Sequence, residues 1–374
     1  MKKSLIALAV MAAAGAASAQ SSVTLFGIVD ATFNHGRADG GSRVTQLTNS
    51  GYNSSRLGFR GTEDLGGGMS ASFWLEAGIS NDDGRAGGAI PAGNQGATVA
   101  SNTGLNFNRR STVSLAGGWG ELRLGRDYTA SFWNLTVFDP FGTNGVGTNT
   151  MLLGAATLAP AGTGGVAVRA SNTIAYFLPP NLGGFYGQVQ YWLGENDETT
   201  AIEDDGTGFG LRIGYGQGPF NVALGWQRTN YDAAGLDDFR SWNIGGQWDF
   251  GMAKVMAQYG RDEGSAGGAT GVDGRGWLIG ALVPVGAGEV RASYSEYRFD
   301  FNVAGAPEPR ARKFAVGYVH NLSKRTAVYA TIARIRNSDG FVGGPRFALG
   351  GSSFAAGTVN GSSTGYDIGI RHSF

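Results

Sequence analysis

The chain has 374 residues, with 29 basic and 29 acidic side chains and no cysteine. This balanced charge gives no reason to expect nucleic acid as a partner, and without cysteine the fold cannot depend on disulfides. Glycine, at 65 residues, far outnumbers proline, at 10, and aromatics reach 11%. These values argue against collagen and against disorder and are typical of a long β-protein with many turns. The three histidines lie far apart in the sequence, so the usual zinc spacings are missing, and we expect no metal and no cofactor.

The first residues, "MKKSLIALAVMAAAGAASA", have the layout of a secretory signal peptide. Lys2 and Lys3 precede an uncharged run that ends on small residues 17–19, as a cleavage site does. The alternative is a buried or membrane-spanning N-terminal helix, but the run is shorter than the roughly 20 residues that a span requires. We therefore predict a signal peptide at 1–19 and one exported domain at 20–374. Without the two lysines, 27 basic residues face 29 acidic ones.

Segments in which apolar and polar residues alternate follow one another from residue 22 to the C-terminus. Such period-two patterns predict half-exposed β-strands. The sequence contains sixteen of them, at 22–33, 55–63, 68–80, 105–116, 120–128, 171–178, 184–193, 207–216, 220–231, 239–250, 253–261, 274–284, 288–301, 310–320, 325–337 and 364–374.

The connections between these segments alternate in length. Long polar connections such as "ENDETTAIEDDG" and "DEGSAGGATGVD" alternate along the chain with short turns such as "EDLGGG", "GQGP" and "NLSK". Long loops on one side and tight turns on the other are typical of an outer-membrane barrel, with extracellular loops and periplasmic turns. The predicted fold is all-β: a 16-stranded antiparallel transmembrane β-barrel.

The alternation also indicates which face of each strand meets lipid. In "GQVQYWL", Val189, Tyr191 and Leu193 alternate with Gln188 and Gln190. Apolar residues outside and polar residues inside suit a barrel with a wet lumen, whereas a soluble sandwich would bury the apolar face. A β-structure in a bilayer must close, because an open edge would leave backbone groups unpaired.

The chain ends on "YDIGIRHSF", in the middle of a predicted strand. In a closed barrel the last strand pairs with the first, so this segment can end at the membrane interface, bonded to the segment at 23–33. We expect the aromatic ring of Phe374 to lie in the interfacial girdle of the barrel.

Several stretches together resemble the general diffusion porins of Gram-negative bacteria, most closely those of the beta-proteobacterial group. They are "SSVTLFGIVDATF", "SRLGFRGTEDLGGGMSASFWLE", "RRSTVSLAGGWGELRLGRDY", "ASNTIAYFLPPNLGGFYGQVQY" and the terminal Phe374, and the resemblance covers essentially the whole mature chain. It implies a homotrimer in the outer membrane, surrounded by lipid and lipopolysaccharide. It also implies a third loop folded inward to narrow the pore, and a Phe374 that the barrel assembly machinery recognises.

The third long gap supports an inward loop independently of the resemblance. About forty residues separate "GRDY" from "RASNTIAYF", which is longer than a hairpin needs. This constriction loop, at about 129–170, is also unusually apolar, so we expect it to pack on the lumen wall; the alternatives are a cover over the barrel mouth and a trimer contact. Its apolar residues include Phe132, Trp133, Val137, Phe138, Phe141, Met151, Leu152 and Leu153.

Arginines at inward positions are the candidate pore residues, because a guanidinium stays charged and presents a rigid fork of donors. Apolar neighbours on the opposite face turn four of them inward, and two more flank the loop. The inward ones are Arg56, Arg60, Arg110 and Arg123, and the flanking ones are Arg126 and Arg169. The resemblance matches Arg56 and Arg126 to the basic side of the porin constriction and Asp139 to its acidic side.

Asp139 is the one acidic residue of the third loop, so the sequence predicts a positive local balance and weak to moderate anion selectivity. The alternative is that each arginine only pairs with a nearby carboxylate. Candidate partners are Glu63, Glu76, Glu121 and Asp127.

The predicted function is passive diffusion of ions and small hydrophilic solutes, and a substrate-specific channel for sugars or small organic acids is the alternative. An enzyme is not expected: Gly361–Gly365 fits G-x-S-x-G with Ser363, but no strand-turn-helix surrounds it. The acidic loop at 195–205 could bind a divalent cation, although its spacing fits no defined calcium loop.

Overall fold

The computed structural model describes residues 22–41, 43–88, 90–91, 94, 99–100, 104–159, 166–232, 238–266, 269–349 and 357–374. The predicted signal peptide at 1–19 lies outside the described residues. In the described part of the chain, the helices are too short or too polar to cross a membrane.

Sixteen long strands build the wall of a single barrel. In chain order they are β1 (Ser22–Ala38), β2 (Arg56–Gly66), β3 (Met69–Ser80), β4 (Arg110–Gly117), β5 (Gly120–Tyr128), β6 (Arg169–Phe177), β7 (Phe185–Trp192), β8 (Gly208–Gln217), β9 (Phe220–Thr229), β10 (Phe239–Asp249), β11 (Lys254–Ala266), β12 (Ala269–Val285), β13 (Gly288–Asp300), β14 (Arg310–Asn321), β15 (Thr326–Ser338) and β16 (Ser362–Ser373). Shorter strands lie in the loops, at Arg43–Asn49, Arg85–Ala86, Ile90–Pro91 and Val99–Ala100.

Each wall strand pairs antiparallel with the next, and β1 closes the ring. The lower part of β1, residues 22–28, pairs with β2, while residues 28–38 pair with β16. The backbones of Gly27 and Phe374 exchange hydrogen bonds of 3.1 and 3.2 Å. A side chain on Gly27 would overlap the Phe374 ring, so glycine is needed where the chain end meets β1. The predicted closed 16-stranded antiparallel barrel is confirmed.

Two connections differ from the sequence prediction. The first long gap contains Arg43–Asn49, which pairs with residues 31–37 of β1 and continues the wall above β2. The gap predicted at "DEGSAGGATGVD" is mostly strand, because β11 continues to Ala266 and β12 begins at Ala269. An ion pair of 2.5 Å between Arg261 and Asp273 joins these two extended strands. The sequence predicted a loop here because the residues are polar and rich in glycine.

The two faces of the wall follow the predicted alternation. On β7, Val189 and Tyr191 are exposed on the outside, whereas Gln188 and Gln190 are buried inside. The same pattern leaves Ile213 and Phe314 exposed on the outer surface of other strands. An apolar exterior around a polar interior is the arrangement that a barrel in a bilayer requires.

The third loop folds into the barrel and contains two helices, α1 (Ala130–Val137) and α2 (Thr150–Leu158). Thr129 and Asn149 cap their N-termini by accepting hydrogen bonds from the backbones of Phe132 and Leu152. Helix α1 packs on β8, β9 and β10, and α2 packs on β11, β12 and β13.

The loop is held by apolar packing and by hydrogen bonds from the wall. Asn134 donates to the carbonyl of Ala223 at 3.0 Å. The backbone N–H of Val146 donates to Asp367 at 2.8 Å, and the Lys313 ammonium donates to the carbonyl of Thr148. The buried cluster that joins loop and wall includes Phe132, Leu135, Phe141, Val146, Met151, Leu158, Leu278, Tyr297 and Phe299.

Small residues on the wall allow this close approach. Gly245 of β10 faces Phe138, and a Cβ at that position would overlap the phenyl ring. Its neighbour Gly246 lies on the opposite face, where the nearest atom to an added Cβ is 3.4 Å away. The loop therefore depends on the absence of a side chain at residue 245.

We predict that Gly245→Val destabilises the barrel by about 1–3 kcal/mol, because the added methyls force Phe138 and α1 off the wall. The measurement is the midpoint temperature at which purified protein in detergent loses its β-sheet circular dichroism. Gly246→Val is the matched control and should leave that midpoint nearly unchanged. Equal midpoints for both variants would show that the loop does not depend on this contact.

Candidate functional site

A cavity of about 460 Å³ lies between the third loop and the wall of early strands. Three arginines line it on the wall side: Arg56 at the start of β2, Arg109 just before β4 and Arg169 at the start of β6. The loop side contributes Phe132, Trp133, Thr136, Gly142, Thr143, Asn144 and Leu152. This cavity between loop and wall is the candidate functional site.

The three arginines form one connected group. Arg109 and Arg169 each donate to the hydroxyl of Tyr128 at 3.1 Å. The Arg169 guanidinium also lies over the Tyr128 ring, 4.5 Å from its centre, and donates to the carbonyl of Arg109 at 2.9 Å. The Arg56 guanidinium donates a hydrogen bond to the carbonyl of Ser54 at 2.9 Å. These contacts fix the cations in place and leave part of each fork toward the cavity.

A single carboxylate lies among these cations. Glu76 pairs with Arg109 at 2.6 Å and with Arg56 at 3.3 Å, and it accepts from the Trp74 indole at 3.1 Å. In the described part of the chain, no other carboxylate lies within ion-pair distance of these three arginines. With three guanidinium groups and one carboxylate, the cavity wall carries two uncompensated positive charges.

An aromatic surface separates the arginines from helix α1. The ring centre of Tyr128 is 4.8 Å from that of Phe132 and 5.2 Å from that of Trp133. These rings contact each other, and the Tyr128 ring contacts Arg169, so this side of the cavity is an aromatic surface. A solute that passes therefore meets cations on one side and ring faces on another.

Asp139 does not face the arginines, contrary to the expectation from the sequence. It is buried inside the third loop and accepts hydrogen bonds from the backbones of Phe141 and Thr143 at 2.9 and 3.1 Å. Asn149 donates to it at 3.0 Å, and burial raises the pKa of the carboxyl. Its role is to hold the turn after α1, so the cavity has no acidic side from this residue.

Arg126 also lies elsewhere than expected. It points to the opposite face of β5 from Arg123 and Asp127, where it is buried and donates to the carbonyl of Asn108 and the hydroxyl of Ser171 at 2.7 and 2.8 Å. Strand alternation is the reason, because Arg126 follows Leu122 and Leu124 on the outward face of β5, whereas Tyr128, at the end of the strand, turns toward the cavity. The same alternation could have excluded Arg126 from the pore.

Arg110 and Arg123 face the lumen, but both are ion-paired. Arg123 pairs with Glu121 at 2.9 Å and with Asp127 at 2.6 Å, and Arg110 lies 3.6 Å from Asp127. Two cations and two carboxylates leave this part of the wall neutral. The alternative of simple pairing therefore describes these two arginines, whereas at the cavity two of three arginines share one carboxylate, Glu76.

Arg60 lies on β2, four residues closer to the periplasmic turn than Arg56. It is exposed to the lumen, and its guanidinium stacks between the rings of Phe26 and Trp74, 5.3 and 5.2 Å from their centres. Arg60 is therefore a cation of the wider lumen and does not line the narrow cavity.

Sequence reasoning missed Arg109, which contributes most directly to the site. Alternation assigned it to the lipid face, but β4 begins one residue later, so alternation does not apply to it. Reasoning also missed Arg291 and Arg371, whose guanidinium groups lie 4.4 and 5.2 Å from the ring centre of Tyr52. These two do follow the alternation, so the strand pattern could have found them.

Other candidates from the sequence find little support in the structure. Ser363 lies within β16 and not on a turn between a strand and a helix. His372 bonds to Thr326 at 2.9 Å near the periplasmic end. Within the described ranges, no group of three or more His, Asp or Glu side chains is arranged to hold a metal ion.

Comparison with known proteins gives a consistent picture. A sequence profile of Gram-negative porins matches residues 5–340. The outer membrane porin protein 32 of Delftia acidovorans is 40% identical over the full length of both chains. An outer membrane porin protein of Bordetella pertussis is 28% identical, again over the full length of both.

Solved structures agree with the barrel described above. The anion-selective porin from Comamonas acidovorans superposes with a TM-score of 0.80 at 35% identity, covering 95% of this chain and all of that one. The outer membrane protein OmpT of Vibrio cholerae shares the fold alone, with a TM-score of 0.64 at 13% identity and coverage of 95% and 98%. By its matched profile, its full-length relatives and its barrel, the chain belongs to the family of Gram-negative porins.

Proposed function

We propose that this outer-membrane porin is a passive diffusion channel that prefers anions at its constriction. The observation that carries the proposal is the group of Arg56, Arg109 and Arg169, which shares one carboxylate, Glu76, and faces the third loop. Because Asp139 is buried within the loop, it does not balance these charges across the cavity.

The selectivity follows from elementary electrostatics. Low-dielectric walls around a narrow aqueous passage concentrate the field of fixed charges, which raises the local concentration of counter-ions. Guanidinium groups keep their charge at every physiological pH, so the positive field is permanent. Salt screens it over about 8 Å at physiological ionic strength, which makes the preference weak to moderate and not absolute.

The related structure supports this sign of selectivity. The Comamonas protein, at 35% identity, is described as an anion-selective porin. No chemical step is needed for such a function, since solutes cross through water and leave unchanged.

We also infer that the functional unit is a homotrimer. Support comes from the porin family and from the outer surface of the early strands, where Val23, Leu25, Val113 and Leu115 are exposed and apolar. Three pores that insert together should close in three equal conductance steps in planar-bilayer records at high voltage. Isolated single steps from every insertion would contradict the trimer.

We predict that Arg109→Gln lowers the ratio of chloride to potassium permeability by about fivefold at low salt. One unit charge about 4 Å away in water contributes about 1 kcal/mol, which corresponds to that factor. The measurement is the reversal potential of reconstituted protein in a planar bilayer under a potassium chloride gradient.

Two variants that remove one charge each, away from the cavity, are the controls. Lys324→Gln removes an exposed cation in the turn between β14 and β15, and Asp139→Asn removes an anion inside the loop. Both should leave the reversal potential near that of the parent protein, as long as circular dichroism shows a folded barrel. Shifts as large as that of Arg109→Gln would mean that total charge, and not the cavity group, sets the selectivity.

A further inference from the structure

The first long loop lies against the lumen side of β1 before it enters β2. Its inner segment, residues 50–55, follows the short strand Arg43–Asn49 and leads directly into Arg56. The backbone of Asp30 on β1 binds both ends of this segment: its carbonyl accepts from the Ser50 N–H at 3.1 Å, and its own N–H donates to the Ser55 hydroxyl at 3.0 Å. The inner segment is therefore fixed at both ends to one residue of the wall.

The carboxylate of Asp30 holds the middle of the inner segment. It is fully buried, and one of its oxygens accepts hydrogen bonds from the backbone N–H groups of Tyr52 and Asn53 at 2.9 and 2.6 Å. The other oxygen accepts from the hydroxyl of Tyr329 and, at 3.4 Å, from that of Thr32. Among the described residues, no cation forms an ion pair with this carboxylate. Hydrogen bonds, and not ion pairs, therefore hold the inner segment against the wall.

The side chain of Tyr52 gives the inner segment one further contact with the wall. Its hydroxyl accepts from Arg291 at 3.0 Å, and its ring lies between the guanidinium groups of Arg291 and Arg371. This contact is made at the end of a side chain with rotatable bonds, so it leaves the backbone of residues 53–54 able to shift. The carboxylate of Asp30 is what fixes that backbone.

The far side of the inner segment contacts the candidate functional site. The Ser54 carbonyl accepts from the Arg56 guanidinium at 2.9 Å, and the Ser54 hydroxyl donates to the amide oxygen of Asn144 in the third loop at 2.7 Å. Asn53, Ser54, Arg56 and Asn144 all line the arginine cavity. The inner segment therefore connects the cationic wall of that cavity to the third loop.

A second hollow, of about 230 Å³, borders the other end of the inner segment. Its lining is mostly polar, with Asp367 as the one carboxylate and no cation among the described residues that surround it. The two hollows share no lining residue, and the contacts between the inner segment and the third loop lie between them. At one of these contacts the Gly51 carbonyl is so close to Gly145 that a Cβ on Gly145 would overlap it. The inner segment thus separates a cationic space from a space without cations.

We propose that the inner segment is a partition that sets the width and the charge of the anion passage, and that Asp30 positions it. While Asp30 holds the backbone, Ser54 fixes the Arg56 guanidinium and closes the gap to Asn144. When the backbone is released, the two hollows join and Arg56 loses its acceptor. The passage is then wider and its positive field weaker. This inference rests on the anion preference proposed above, but the width of the passage is measured independently of that preference.

Two substitutions of Asp30 distinguish its positioning role from its charge, because both remove the same negative charge. Asp30→Asn keeps an oxygen that accepts from the two backbone N–H groups, and its amide nitrogen donates to the hydroxyls of Tyr329 and Thr32. Asp30→Ala keeps neither contact. Loss of the charge alone would raise the anion preference equally in both variants.

We expect Asp30→Ala to raise the single-channel conductance in a planar bilayer. It should also lower the ratio of chloride to potassium permeability by about twofold, as when one charge moves from about 4 to about 8 Å from an ion in water. Asp30→Asn should match the parent protein in both properties. A permeability ratio that rises in both variants, or equal changes in the two, would overturn the proposal.

A spin label reports the position of the inner segment directly. The chain contains no cysteine, so Asn53→Cys carries a nitroxide label at a single site. The width of its electron paramagnetic resonance lines in the folded protein in detergent should indicate an immobile label in the parent and with Asp30→Asn, and a mobile label with Asp30→Ala. An immobile label with Asp30→Ala would contradict the partition. A label released by Asp30→Ala, in a protein whose parent channel shows no anion preference, would support the partition and contradict the proposed function.

Ser54→Ala tests the partition without changing the buried carboxylate, so it applies even where Asp30→Ala does not fold. It removes the hydroxyl that donates to Asn144 but keeps the carbonyl that accepts from Arg56. We expect larger fluctuations of the open-channel current, because the third loop loses this contact, and an unchanged permeability ratio. An open-channel current as steady as that of the parent would overturn the proposal.

Discussion

A backbone that crosses hydrocarbon must satisfy every N–H and C=O within the protein, because no water is available to do so. The whole structure depends on the way this chain meets that constraint. Sixteen strands pair in sequence, and β1 divides its length between β2 and β16 to close the ring. Two backbone hydrogen bonds between Gly27 and Phe374 complete the closure.

In a closed barrel the side chains of each strand alternate between the lumen and the lipid. This alternation decides which residues line the pore. Inward residues build the lumen and its arginines, whereas outward residues build the lipid face. The lumen would be wide without the third loop, which fills it with two helices anchored by Asp367 and Lys313. Because the loop packs on β8 to β13, the passage is left on the other side, beside Arg56, Arg109 and Arg169. The position of the proposed constriction is therefore a consequence of where the loop packs.

The sequence predicts most of the wall, because period-two patterns and glycine-rich turns are local signals. It fails where tertiary packing decides the outcome. Arg109 precedes its strand and turns inward for Glu76, and Asp139 is drawn into the hydrogen bonds of its own loop. Arg126 is a different case, since the alternation of β5 already places it outside, and its position beside the loop and the resemblance led to its assignment to the pore. The upper parts of β11 and β12 were not predicted as strands, because charged, glycine-rich strands have the composition of loops.

The central claim is that the constriction carries an uncompensated positive charge. The most direct test is the reversal potential of the unmodified protein in a planar bilayer, measured under the same potassium chloride gradient at low and at high mean salt. The account predicts a potential on the chloride side at low salt that shrinks as screening increases. A potential on the potassium side at low salt would contradict it.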